Sequence, residues 1–218
     1  MTSTPEAPAS ASDRSTPFAL SEWLDRLAQA DGGQGGGAAC GVMLSISAAL
    51  MEMVARYSTE DERAAACTTR LAQRSREALA AAEADGIRSA QLGASLRAPE
   101  SDPARDHGIH EAALAAAASS AELGAVGVAL VAELALLSDI GNPAVTADLA
   151  VAAEALSAGL AGSGVNLRAD LALAEAHAAD ETVPDAARRL AEAAQALVDA
   201  RDAASAYAER LSATFGSG

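Results

Sequence analysis

The sequence predicts an all-α protein, an antiparallel bundle of about six helices, and three observations lead there. Alanine dominates a chain of 218 residues in which hydrophobic residues make up 50% and aromatics only 2%, and alanine is the strongest helix former. The β-branched and aromatic runs that would specify strands are missing. Apolar residues recur at helical spacing between clear turn signals. Alanine cores gain little burial energy per residue, so such chains rely on close helix approach and on a second subunit for added buried area.

Residues 1 to 16, rich in Ser, Thr, Pro and Ala, read as a disordered tail. Residues 17 to 215 read as one helical domain, because no polar linker divides them. A short amphipathic helix begins at Thr16-Pro17, carries Phe18, Leu20, Trp23, Leu24 and Leu27, and stops at Asp31-Gly32. Gly32 to Gly37 holds five glycines and Gln34, and reads as a flexible turn. Met43, Ile46, Leu50, Met53, Val54 and Tyr57 then mark a second helix, with small residues on its other faces. Ser58-Thr59 followed by Asp61-Glu62 signals the start of a third helix, which runs to about Ala98 with Gly86 as a kink point. Pro99 to Pro103 is a loop. A long alanine-rich helix or helix pair follows to Leu137, with Gly124 and Gly127 allowing close contact. Gly141-Asn142-Pro143 is a turn with proline at a helix start. The fifth helix reaches Gly162 or beyond, and Thr182 to Asp185 caps a last one.

The formal charge is −15, the pI is near 4.5, and every basic side chain is arginine. That argues against nucleic acid or anionic membrane as a partner, since both call for a basic surface. Cys40 and Cys67 lack metal-ligand spacing and read as reduced, buried small residues. No signal peptide is visible, and the longest uncharged stretch, Gly32 to Met51, reads as too short to span a bilayer comfortably, so the expected location is the cytoplasm. His107, His110 and His177 do not form a metal set.

Three constellations could carry chemistry. Glycines before a helix can expose backbone N–H groups to an anionic or polar ligand, although no P-loop lysine or preceding strand is present. Asp85 shares a helical face with Arg88 and Ser89, and read alone it is one half of an exposed ion pair. Gly141-Asn142-Pro143 with Asp148 is followed by Asn166 and Arg168. Asn142 is a natural cap, Asp148 suits a helix start, and the Asn166 amide, placed after an apolar stretch, needs partners.

In this order the constellations resemble the cyclodeaminase/cyclohydrolase family, which includes the C-terminal domain of formiminotransferase-cyclodeaminase and the methenyltetrahydrofolate cyclohydrolases. The resemblance rests on Gln34 to Ala38 with Met51-Glu52-Met53-Val54, on Asp85 and its spacing to Pro99, on Gly141 to Leu149, and on Val165 to Leu171. It covers roughly residues 18 to 213. It implies an all-α homodimer with a groove for a small-molecule substrate, a tetrahydrofolate derivative, and no tightly bound cofactor or metal. It also implies that Asp85 is the general base, for hydrolysis of 5,10-methenyltetrahydrofolate or for cyclisation of formiminotetrahydrofolate with loss of ammonia. Gly35, Gly36, Gly37, Asn142, Asp148 and Asn166 would bind or orient the ligand. The chain departs from the family pattern at Gln34 (proline), Ala38 (serine), Glu100 (lysine) and Gly124 (proline). These departures keep a second reading open: a repurposed member with a non-folate role, either another C–N or imine cyclisation or a binding or assembly protein. A purely structural helical dimer is a third.

Overall fold

A computed structural model describes residues 16–29, 34–178 and 184–215, so the N-terminal tail, Gly32-Gly33 and Thr182-Val183 lie outside the described residues. Among the described residues there are six α-helices and no strand: α1 (Thr16–Leu27), α2 (Gly36–Tyr57), α3 (Glu62–Leu96), α4 (Arg105–Ile140), α5 (Thr146–Ala176) and α6 (Pro184–Ala213), with a 3-10 turn Pro143–Val145 before α5. The chain forms two compact units, residues 1–32 and 33–218. The first contains α1, whose Leu20 and Leu24 are about half exposed. The second is the bundle.

Local chemistry sets the helix ends. Asp61 caps α3 by accepting from the Arg63 N–H at 2.8 Å. Asn142 caps the 3-10 turn by accepting from the Ala144 N–H at 2.9 Å, and Pro143 follows at the first helical position. One expectation changes and one alternative is decided. The glycine tract is not a loop throughout, because Gly36 and Gly37 are the first residues of α2. The Arg105–Ile140 segment is one uninterrupted helix, and Gly86 lies within the span of α3.

Side-chain pairings give the topology. Gly36 meets Asn166, Gly159 meets Leu44, and Ser47 donates to the Ala152 carbonyl at 2.8 Å, so α2 and α5 are antiparallel. Gly37 meets Asp85, Gly41 meets Ala82, and Ser45 donates to the Ser75 carbonyl, so α2 and α3 are antiparallel too. Ser157 bonds Ser205 while Gly164 lies beside Leu197, which sets α6 antiparallel to α5. The main core is built on Leu44, Met51, Leu71, Leu130, Leu134, Leu156 and Leu160, all fully buried. A smaller cluster, Leu92, Ile109, Ala113, Ala116 and Ala174, joins α3, α4 and α5 beyond the start of α2. Ser45, Ser47, Ser58 and Ser163, all buried, satisfy their hydroxyls on backbone carbonyls.

Glycine is used here for proximity, since no described residue has a positive φ. A Cβ on Gly127 would lie 2.8 Å from Leu160 and 2.9 Å from Leu44, and one on Gly124 would lie 2.4 Å from Leu197. Both cysteines are free and buried. The Cys67 thiol donates to Glu133, which also holds Arg70 at 2.8 Å. Three helices, Gly36–Tyr57, Arg105–Ile140 and the stretch Pro143–Ala176, are long and apolar enough to cross a membrane by length and composition. This corrects the expectation of a stretch too short to span a bilayer: the apolar helix that begins at Gly36 runs on past Met51 to Tyr57, and in the other two a few charges do not lower the overall apolarity. A helix that packs on several neighbours also becomes apolar all round.

Gly41→Ala is expected to destabilise the bundle. The new Cβ would come 2.3 Å from the Ala82 Cβ and 2.9 Å from the Ala78 carbonyl, so the two backbones must separate. The cost should be about 1–3 kcal/mol, and the melting temperature should fall by about 2–4 °C per kcal/mol. Gly108→Ala, which meets nothing within 4 Å, should instead stabilise by about 0.5–1 kcal/mol through helix propensity.

Candidate active site

α2 is shorter than the helices around it. Its first turn stops beside Asp85 on α3 and Asn166 on α5, while α3 and α5 run on by ten residues or so, about 15 Å. The N-terminus of α2 therefore lies between α3 and α5, both of which run on past it. Gly35 is its N-cap and supplies no side-chain acceptor, so the first N–H groups of α2 remain without helical partners. This is the positive end of the helix dipole.

Asp85 sits at that end with only 3% of its surface exposed. Its Oδ2 lies so close to Gly37 that a Cβ there would be 1.7 Å away. Ser120, on α4, donates to its Oδ1 at 3.3 Å. Burial pushes the Asp85 carboxyl above the usual range, and hydrogen bonds from Ser120 and Ser119 only partly offset it. The exposed ion pair with Arg88 expected from the sequence is not formed. Arg88 is exposed and donates to Gln91 at 3.1 Å. The reason is helical phase: Leu71, Ala78, Ala82, Asp85 and Leu92 form the buried stripe of α3, which turns Asp85 inward.

Asn166 lies over Gly36, its amide oxygen and nitrogen 3.1 and 3.2 Å from where a Cβ would be. One turn further along α5 stands half-buried Asp170, whose carboxyl is pushed up to about 6 by burial and by the Asp85 charge. Cys40, one turn into α2, is held protonated by burial and has Ser163 and the Asp85 charge beside it. The Gln34 Oε1 atom, just before the glycines, is buried without a hydrogen-bond partner. Asp170 was absent from the sequence-predicted set. The available signal was its i,i+4 spacing from Asn166 on one helix face.

The structure gathers Gly36, Gly37, Asp85 and Asn166, with Gly35 capping the same helix end. It does not bring Asn142 or Asp148 to them within one chain. Asn142 donates from its side chain to the Tyr57 carbonyl at 3.0 Å and from its backbone to Ser58 Oγ at 2.9 Å, at the far end of α2, about 30 Å from Gly37 by helical rise. A surface cavity of about 510 Å³ lies there, among Tyr57, Asp61, Arg63, Asp139 and Asn142. Asp148 is in the first turn of α5, about 27 Å along that helix from Asn166. Of the histidines, His110 hydrogen-bonds the Ala174 carbonyl, His177 pairs with Asp106, and His107 is exposed. No group of three or more metal-ligating side chains occurs among the described residues.

A buried carboxylate facing a helix N-terminus, in a bundle of this topology, can be set against known proteins. The profile of the formiminotransferase-cyclodeaminase family matches residues 19–189. The chain belongs to that family. Among solved structures, the bundle is similar to formiminotetrahydrofolate cyclodeaminase from Thermotoga maritima, with a TM-score of 0.74 and 18% identity over 88% of this chain and 94% of that one. Comparison with curated proteins gives no match. The cyclodeaminase family assignment and the all-α fold expected from the sequence both stand.

The carboxyls of this site cost stability at neutral pH. A carboxyl raised by folding stabilises the folded state fully below its unfolded value and loses that contribution as pH rises through its folded value. For Asp170 that window runs from its ordinary 3.8 to about 6. Asp170→Asn should therefore stabilise the protein at pH 7.5 by about 1–1.5 kcal/mol, allowing for solvent screening of a half-exposed group. The gain should vanish near pH 4. Calorimetric melting at the two pH values checks both the sign and the window.

Proposed function

We propose that this chain is a folate one-carbon enzyme in which Asp85 is the general base. Support comes above all from one observation: the buried Asp85 carboxylate pressed against Gly37 at the N-terminus of α2. Cyclisation of formiminotetrahydrofolate and hydrolysis of 5,10-methenyltetrahydrofolate both pass through an amidine-like cation beside a nitrogen or water that must lose a proton. A carboxylate can accept that proton and stabilise the cation. Burial raises the Asp85 carboxyl, which makes it a stronger base and strengthens its field on a cation. The first N–H groups of α2, around Gly35, Gly36 and Gly37, would receive carbonyl or other acceptor groups of the ligand, and the Asn166 amide would orient it. Asn142 and Asp148 could serve one site only if a second chain brings the far end of α2 alongside. The proposed homodimer gains support from Ile46, Tyr57, Val151 and Val165, which stand exposed on α2 and α5. We place the enzyme in the cytoplasm, where tetrahydrofolate derivatives are its small-molecule partners.

A non-folate substrate with the same C–N chemistry is the competing reading. It is favoured by the orphaned Gln34 Oε1, which stands where the family has proline. That atom asks for a donor from the ligand. The two readings separate in one assay. Purified chain given formiminotetrahydrofolate should release ammonia and form the methenyl chromophore, and given methenyltetrahydrofolate should speed its loss. Asp85→Asn should lower whichever turnover is present by about 10²–10⁴-fold. Wild type and variant both at the uncatalysed rate would reject the folate reading.

A further inference from the structure

Asp85 is a proton acceptor in the proposed chemistry, but loss of ammonia also needs a proton donor. The attacking nitrogen sheds a proton, and the departing nitrogen must gain one before its bond to carbon breaks. A base alone leaves the second half of that transfer without a group. Asp170 is placed for it. It stands on α5 one turn from Asn166, whose amide lies over Gly36, while Asp85 touches the next residue, Gly37. Because α5 runs antiparallel to α2, Asp170 stands about one turn beyond the start of α2 on the α5 wall, within reach of the charge of Asp85 on the α3 wall.

We infer that Asp170 is the proton donor that works with Asp85, so that one proton is held between the two carboxyls throughout the cycle. The inference rests on the folate cyclodeaminase reading. The neighbouring nitrogen uses its lone pair to form the new C–N bond to the formimino carbon. The formimino group enters as its amidinium cation, –CH=NH2+, so its C=N π pair moves onto the terminal nitrogen to leave a neutral NH2 group, and Asp85 takes the proton from the nitrogen that attacked. Asp170 gives its proton to the terminal nitrogen, and the C–N bond breaks with its electron pair leaving on ammonia. The amidine-like cation closes behind it. The proton on Asp85 then passes to Asp170, and the pair ends as it began.

The surroundings suit this division. Asp85 has hydroxyl donors, Ser119 and Ser120 from α4, which favour its charged form. Asp170 has no such donors among the described residues; burial and the charge of Asp85 push it up to about 6. No arginine or histidine among the described residues pairs with either carboxyl. From α2 the titratable group is Cys40, which stays protonated. On α4 the imidazole of His110 is engaged by the Ala174 carbonyl, one turn past Asp170. Two carboxyls in one shielded space, with environments that differ, divide into a base and an acid.

Wild type, Asp170→Asn and Asp170→Glu should be compared with formiminotetrahydrofolate by ammonia release between pH 5 and 8. Asp170→Asn is expected to lose about 100-fold in kcat with KM little changed, and Asp170→Glu to recover part of it. In the wild type, kcat/KM should fall above about pH 6 as the donor is deprotonated, and that limb should disappear in Asp170→Asn. An Asn variant within about fivefold of wild type, with the limb intact, overturns the inference. Carbon-13 carboxyl titration of the folded wild type and Asp85→Asn gives a second reading that does not need the Asp170 variant to fold. The Asp170 midpoint should drop when the Asp85 charge is removed, and an unchanged midpoint overturns the pairing. A wild type that releases no ammonia overturns the folate reading and this inference with it, whereas an active wild type with an unaffected Asp170→Asn overturns this inference alone.

Discussion

The candidate site depends on one close contact, the Asp85 carboxylate against the Cα of Gly37. A carboxyl can be placed at the end of a neighbouring helix only if that helix carries no Cβ there. Once placed, it is shielded from water beside the first turn of α2, whose leading N–H groups have no helical partner. Burial opposes its charge while the Ser120 and Ser119 hydroxyls favour it. That opposition leaves the carboxyl above its ordinary range, which suits the proposed base and is expected to cost stability at neutral pH.

The same device recurs down the bundle. Gly36 makes room for Asn166, Gly41 for Ala82, Gly159 for Leu44 and Gly162 for Cys40. α2 is therefore threaded between α3 and α5 on a seam of small residues, and its starting point is fixed by close packing along its length. The position of the Asp85 carboxyl relative to the helix end then follows from the packing of the whole seam. An alanine-rich composition, which gives little burial energy per residue, is what such close approach requires.

Much of this was legible in the sequence. Helix number and most boundaries followed from Asp61-Glu62, Pro99 to Pro103 and Gly141-Asn142-Pro143, because caps and prolines act locally. The glycine tract was misjudged, because glycine before a helix and glycine inside its first turn look alike in sequence. What distinguishes them is a partner 48 residues away, Asp85. The inward aim of Asp85 was legible only through the 71, 78, 82, 85, 92 spacing on α3, and the neighbouring Arg88 hid it. Asp170 was not legible as a site residue, since its perturbation comes from a charge on another helix. Asn142 and Asp148 stood in family order, but order along the chain carries no distance, and α2 and α5 hold them a helix length from Asp85.

The account turns on whether Gly37 is glycine because of Asp85, and a double-mutant cycle on folding stability tests that most directly. In the wild-type background Gly37→Ala should destabilise by about 2 kcal/mol or more, through overpacking and a displaced buried charge. In an Asp85→Ala background the same substitution should be neutral or stabilising, since alanine favours the helix, so the coupling between the sites should be about 2 kcal/mol or more. Additivity within about 0.5 kcal/mol would contradict the contact on which the site is built.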